Sequence, residues 1–139
     1  MLNAVNTTAR KIILPNDKLE SVRIIRQLIK NDQSIFLVGQ KPLLKDKLSI
    51  ERQASIGKEA FKTTFPFEKI EQYIKENYHY QYSTNAGTSF CNHLYFHVLK
   101  YIEDNNLRTK VIFIHIPYKK NITDFKKICS VFEDIVSLI

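Results

Sequence analysis

The sequence predicts an α/β protein built on an open, mainly parallel sheet with helices on both faces. Two observations carry that expectation. SIFLVGQ at 34–40 and KVIFIHI at 110–116 are short, continuous apolar runs, the pattern of strands buried on both sides. Segments of helix length with apolar residues at three-and-four spacing alternate with such runs, and that alternation implies parallel strands joined by crossover helices.

Taken in order, KIILP at 11–15 reads as a strand or strand end stopped by Pro15. Asp17 is placed to cap a helix to about Asn31, on which Leu19, Val22, Ile25 or Arg26, and Ile29 recur at helical spacing. With the strand at 34–40 this makes a βαβ unit. The stretch from 41 to 66 has weaker periodicity and is broken by Pro42, Gly57 and Pro66, so LSIERQ reads as a short strand or extended segment in a loop region. From Pro66 to Tyr78 the pattern is helical again, and YHYQYST alternates like a strand. After a turn at NAG, CNHLYFHVLKYIEDNN is a helix with Cys91, Leu94 or Tyr95, Val98 and Ile102 on its inward stripe. The strand at 110–116 follows, and the segment from Ile122 to Ile139 is the closing helix. No repeat, low-complexity segment or linker divides residues 1–139, which read as one domain.

Composition narrows the function classes. The chain has 139 residues, 44% of them hydrophobic and 25% charged, enough for one core without disulfide staples. Its two cysteines are far apart and no signal-peptide pattern opens the sequence, so reduced thiols and a cytoplasmic location are expected. No apolar run approaches the roughly 20 residues that span a bilayer. The net charge of +7 raises nucleic acid as a partner, but the basic residues are interleaved with acidic ones and form no block, so none is expected.

Three residue patterns carry chemistry. In NAGTSFCNH a turn feeds a helix with Cys91 at its start, where unpaired amides and the positive helix end favour a thiolate and an oxyanion. A lone cysteine there is also compatible with a small buried hydrophobe. His115 interrupts the strand IFIHIPY near its C-terminal edge, where open α/β folds bind ligands, although a core histidine bonded to a carbonyl fits the same position. Glu51 in LSIERQ has the chemistry of a third member that accepts the imidazole proton, or of a solvated partner of Arg52.

Together these motifs resemble the pyroglutamyl peptidase I family of cysteine peptidases. NAGTSFCNHLYFHVL is similar to its cysteine signature, VIFIHIPY to its histidine strand, and LSIERQA to its glutamate motif. FLVGQ and FKTTFPFEKI resemble two further family segments, and all five stand in family order. The resemblance implies a three-layer α/β/α sandwich that removes N-terminal pyroglutamate from peptides through a thioester, with no metal or other cofactor. It carries over Cys91, His115 and Glu51 as the catalytic triad, Gln40 as a contact to the lactam, and Phe90 as a pocket-lining residue beside the nucleophile.

The chain departs from that pattern at the substrate pocket. The family's first strand and its aromatic Gly-Phe-Glu-Pro-Phe loop have no counterpart, and a long insertion between the glutamate motif and the Phe-Ser-Thr-Leu-Pro segment is absent. Lys41 and Pro42 replace the usual Gly-Gly, stiffening the loop. Self-association is one way to cover the strand edge that such a loss exposes. A catalytically impaired homologue that keeps the scaffold but not the pocket is therefore the alternative to an active peptidase, and an interaction module without chemistry is a third reading.

Overall fold

The computed structural model describes residues 2–139. Asp17 caps α1 (Lys18–Leu28) by accepting the Glu20 amide at 2.8 Å, and the buried stripe of that helix is Ser21, Val22 and Ile25. The other helices are α2 (Glu68–Asn77), α3 (Phe90–Asp104) and α4 (Phe125–Leu138). Six strands accompany them: β1 (Ser34–Gln40), β2 (Lys47–Glu51), β3 (Gln53–Ile56), β4 (Glu59–Lys62), β5 (His79–Ser83) and β6 (Lys110–Ile116).

Four strands form the main sheet in the order β1-β6-β2-β5. β1 pairs parallel to β6 and β2 parallel to β5, while β2 and β6 run antiparallel. The sheet is thus mainly parallel, as the alternation of strands and helices implies.

The alternation of side chains along a strand then sorts residues between two cores. Leu48, Ile50, Ile112, Ile114 and Ile116 meet Ile70 and Ile74 of α2 and Ile128, Val131, Phe132 and Ile135 of α4. Val111 and Phe113 turn the other way, against Val22 and Ile25 of α1 and Leu94, Tyr95 and Val98 of α3. Two helices cover each face, which makes three layers. The same parity has a chemical consequence. Ser49, Glu51 and His115 occupy the alternate positions of β2 and β6, on the side of α3.

Two segments differ from the sequence reading. KIILP is not a strand: residues 11–15 make no ladder, Ile13 is 75% exposed, and Pro15 has no N–H to give one. Residues 53–62, read as loop, form the β3–β4 hairpin instead. Gly57 makes its turn at φ +61, a conformation that suits glycine. The hairpin packs on α3, where buried Asn92 accepts the Ser55 amide at 3.2 Å and donates to the Ser55 carbonyl at 2.8 Å.

Candidate active site

His115 is the last residue but one of β6, and its backbone is flanked by Gly39 of β1 and Ser49 of β2. Its side chain is 1% exposed and its Nδ1 lies 2.8 Å from Oε1 of Glu51, which is wholly buried at the end of β2. A buried carboxylate stays ionised only where donors replace the water it has lost. Oε1 collects three: His115 Nδ1, the Ser49 hydroxyl at 2.9 Å and the Lys41 ammonium at 2.5 Å. Burial pushes the Glu51 carboxyl up, but hydrogen bonding to His115 and Lys41, with the Ser83 hydroxyl close by, outweighs it and holds the group below its ordinary value. The Ser83 hydroxyl, opposite Glu51 on β5, donates to the Asn85 carbonyl at 3.1 Å, and Oε2 has no hydrogen-bond partner among the described residues. Tyr95 completes the setting from α3, donating at 2.8 Å to the backbone carbonyl of Glu51.

Cys91 is the second residue of α3, reached through the Asn85-Ala86-Gly87 turn. Gly87 takes φ +91 there, and its amide donates to the Asn85 side chain at 3.0 Å. Ser89 precedes the helix and makes no side-chain cap, so its hydroxyl does not occupy the first-turn amides. The sulfur rests on the sheet at Gly39, where an added Cβ would lie 2.5 Å from Sγ.

The thiol itself behaves differently from the simple helix-start expectation. Burial pushes it above its ordinary value, the Gln40 backbone pulls it down, and the negative charge of Glu51 adds to the rise. Position at a helix start alone does not produce a free thiolate here. Ionisation of Cys91 has to be coupled to proton transfer onto an acceptor, and His115 shares a cavity with it.

That cavity, about 430 Å³, is lined by Gln40, Lys41, Gln81, Ser89, Cys91 and His115 among others, within the usual range for small-ligand sites. Of the residues expected from the sequence, Cys91, His115 and Gln40 face it, and Glu51 stands directly behind His115. Phe90 is not among its lining; it packs against the α1–α3 core. Tyr118 is the one Phe, Tyr or Trp side chain of the wall among the described residues. Sequence patterns alone do not mark Lys41 or Tyr95 as site residues. Ser49 has one legible signal, its two-residue spacing from Glu51, which puts both on one strand face; Lys41 has none, because its reach to Glu51 depends on the loop after β1.

Both cysteines are free. Among the described residues no three or more His, Cys, Asp and Glu side chains cluster as a metal site requires, and no helix is long and apolar enough to cross a membrane.

Fold and site define an α/β protein that gathers a cysteine, a histidine and a buried glutamate around the β1–β6–β2 strands. The family model described as pyroglutamyl peptidase matches residues 44–134, and the chain belongs to that family. It is 46% identical over 82 residues to pyrrolidone-carboxylate peptidase 1 of Caldanaerobacter subterraneus subsp. tengcongensis, covering 58% of this chain and 37% of the relative. It is 44% identical over 63 residues to the pyrrolidone-carboxylate peptidase of Thermoanaerobacter pseudethanolicus, covering 45% and 31%. The matches thus span about a third of these curated relatives. Among solved structures, pyroglutamyl peptidase I of Bacillus amyloliquefaciens superposes with a TM-score of 0.69 at 24% identity, covering 86% of this chain and 74% of that one. A variant of the pyrrolidone carboxyl peptidase of Pyrococcus furiosus gives 0.73 at 17% identity, covering 90% and 78%. These likenesses bear out the three-layer α/β fold.

Proposed function

We propose that this domain is a cysteine peptidase that removes N-terminal pyroglutamate from peptides, with Cys91 as nucleophile, His115 as base and Glu51 as the residue that orients it. The observation that carries the reading is the 2.8 Å contact between His115 Nδ1 and Glu51, which leaves Nε2 as the ring nitrogen available to the cavity that Cys91 also lines.

In the reaction, Nε2 takes the Cys91 proton and the sulfur attacks the pyroglutamyl carbonyl carbon. The oxyanion that forms is met by the amides at the start of α3, which Ser89 leaves uncapped. The imidazolium next protonates the leaving amine, the C–N bond breaks and a thioester remains. His115 then deprotonates a water, which attacks the thioester and releases pyroglutamate with return of the proton to sulfur. Glu51 remains a carboxylate throughout, fixing the Nδ1–H tautomer and favouring the transient imidazolium. Gln40, exposed at the end of β1 and facing the cavity, is positioned to bond the lactam.

A fluorogenic pyroglutamyl amide tests the assignment: the protein cleaves it and Cys91→Ser removes the cleavage, whereas turnover that persists in Cys91→Ser overturns it. The largely polar wall, in which Tyr118 is the one Phe, Tyr or Trp among the described residues, favours one second reading, a homologue that keeps the site's scaffold but grips the lactam poorly. That reading predicts rapid alkylation of Cys91 without turnover.

A further inference from the structure

Lys41 has no function in the reaction just described, yet its ammonium lies 2.5 Å from Oε1 of Glu51, the same oxygen that meets His115. It also donates to the Asn85 carbonyl at 3.3 Å, and Asn85 opens the turn that delivers Cys91. The Lys41 amide is fixed in turn by the Ile116 carbonyl at 3.2 Å, one residue beyond His115. Its side chain is 21% exposed, so the pair with fully buried Glu51 is only weakly screened.

We propose that Lys41 is a positioning residue of this site: it ties Glu51 to the turn before Cys91, and by sharing Oε1 with His115 it offsets part of the carboxylate's charge. The proposal rests on the Cys91–His115–Glu51 reading above and deepens it.

The other groups around Glu51 do not supply this charge. Ser49 and Ser83 are neutral hydroxyls on β2 and β5, and Tyr95 of α3 bonds the backbone carbonyl. Arg52 turns away, its guanidinium 3.9 Å from the Tyr82 ring centroid and 5.2 Å from that of Phe67. Cys91 and His115 are the groups between which the proposed reaction moves a proton. Lys41 is thus the one cation bonded to Glu51 among the described residues. The negative charge of Glu51 raises the Cys91 thiol, and Lys41 offsets that charge, so its removal moves the Cys91 titration to higher pH.

The test is the pH dependence of iodoacetamide alkylation at Cys91, resolved from Cys129 by peptide mass spectrometry, in wild type, Lys41→Met, Lys41→Gln and Lys41→Arg. Lys41→Met and Lys41→Gln should shift the acid-side midpoint upward by about half a pH unit to one unit, and Lys41→Arg should restore the wild-type profile. Lys41→Gln keeps a donor without the charge and serves if Lys41→Met does not fold. Superimposable profiles for wild type and Lys41→Gln, or an equal shift in Lys41→Arg, overturn the proposal. Because alkylation needs no peptide turnover, a shift in a protein that cleaves no pyroglutamyl amide upholds Lys41 and sinks the peptidase reading alone.

Discussion

Gly39 and Cys91 touch: a β-carbon on residue 39 would stand 2.5 Å from the Cys91 sulfur and 3.3 Å from the Phe113 ring. Real side chains do not approach so closely. The missing side chain therefore lets the sulfur lie against the sheet next to the backbone of His115, which pairs with Gly39 across β1 and β6.

Gly39→Ala should displace either the sulfur or the strand. A forced overpacking of this size costs about 1–3 kcal/mol, and a misplaced nucleophile loses roughly 100-fold in rate. Urea unfolding and pyroglutamyl amide hydrolysis measure the two effects. Wild-type values in both would show that the sulfur is not held where the geometry puts it.

Glu51→Gln keeps the shape and removes the charge. His115 then loses the anion that fixes its tautomer and stabilises its protonated form, and a fall in kcat of about 100- to 10,000-fold is expected by analogy with neutralised triad acids. KM should change little, because Glu51 lies behind His115 and not on the cavity wall. A large change in KM with kcat intact would place Glu51 in substrate binding instead.

Stability should also fall in acid through Glu51. Its carboxyl is raised by burial but lowered further by its hydrogen bonds, so its folded value lies below the 4.5 of the unfolded group. A group depressed in the folded state stabilises above its unfolded value, and that contribution is lost as pH falls through the folded one. Wild type should therefore lose stability below about pH 4.5, and Glu51→Gln should lose less. Parallel urea midpoints against pH for the two proteins would contradict this.

Asn92 tests the support of the nucleophile's helix. It sits beside Cys91 and clamps both the amide and the carbonyl of Ser55. Asn92→Ala leaves those groups without their partner and should cost about 1–3 kcal/mol, with faster hydrogen exchange at Ser55. Unchanged protection at that amide would show that the hairpin is held by other contacts.

Much of this was legible in the residues themselves. Strand 110–116 is buried on both faces, so its hydrophobicity is continuous and local, and Asp17 announces its helix by its own capping chemistry. The run at 34–40 is also a strand, but not the doubly buried one its composition implies: it lies at the sheet edge, with Leu37 buried and Val38 44% exposed. The β3–β4 hairpin was not legible, because only Ala54 of β3 is buried and its other side chains give little apolar alternation. KIILP misled for the opposite reason: it has strand composition but no neighbour to pair with. The site followed the same division. Strand parity brings Ser49, Glu51 and His115 to one face, whereas the Lys41–Glu51 pair depends on how the 41–46 loop returns, which no periodicity encodes.

The central claim is that Cys91 attacks a pyroglutamyl carbonyl held in the cavity beside it. Its most direct measurement is labelling by a pyroglutamyl chloromethyl ketone, with the adduct located by peptide mass spectrometry and free pyrrolidone added as competitor. The account predicts one adduct, on Cys91, slowed by pyrrolidone and lost in His115→Ala. Equal labelling of Cys129, or labelling of Cys91 that pyrrolidone does not slow, would contradict it.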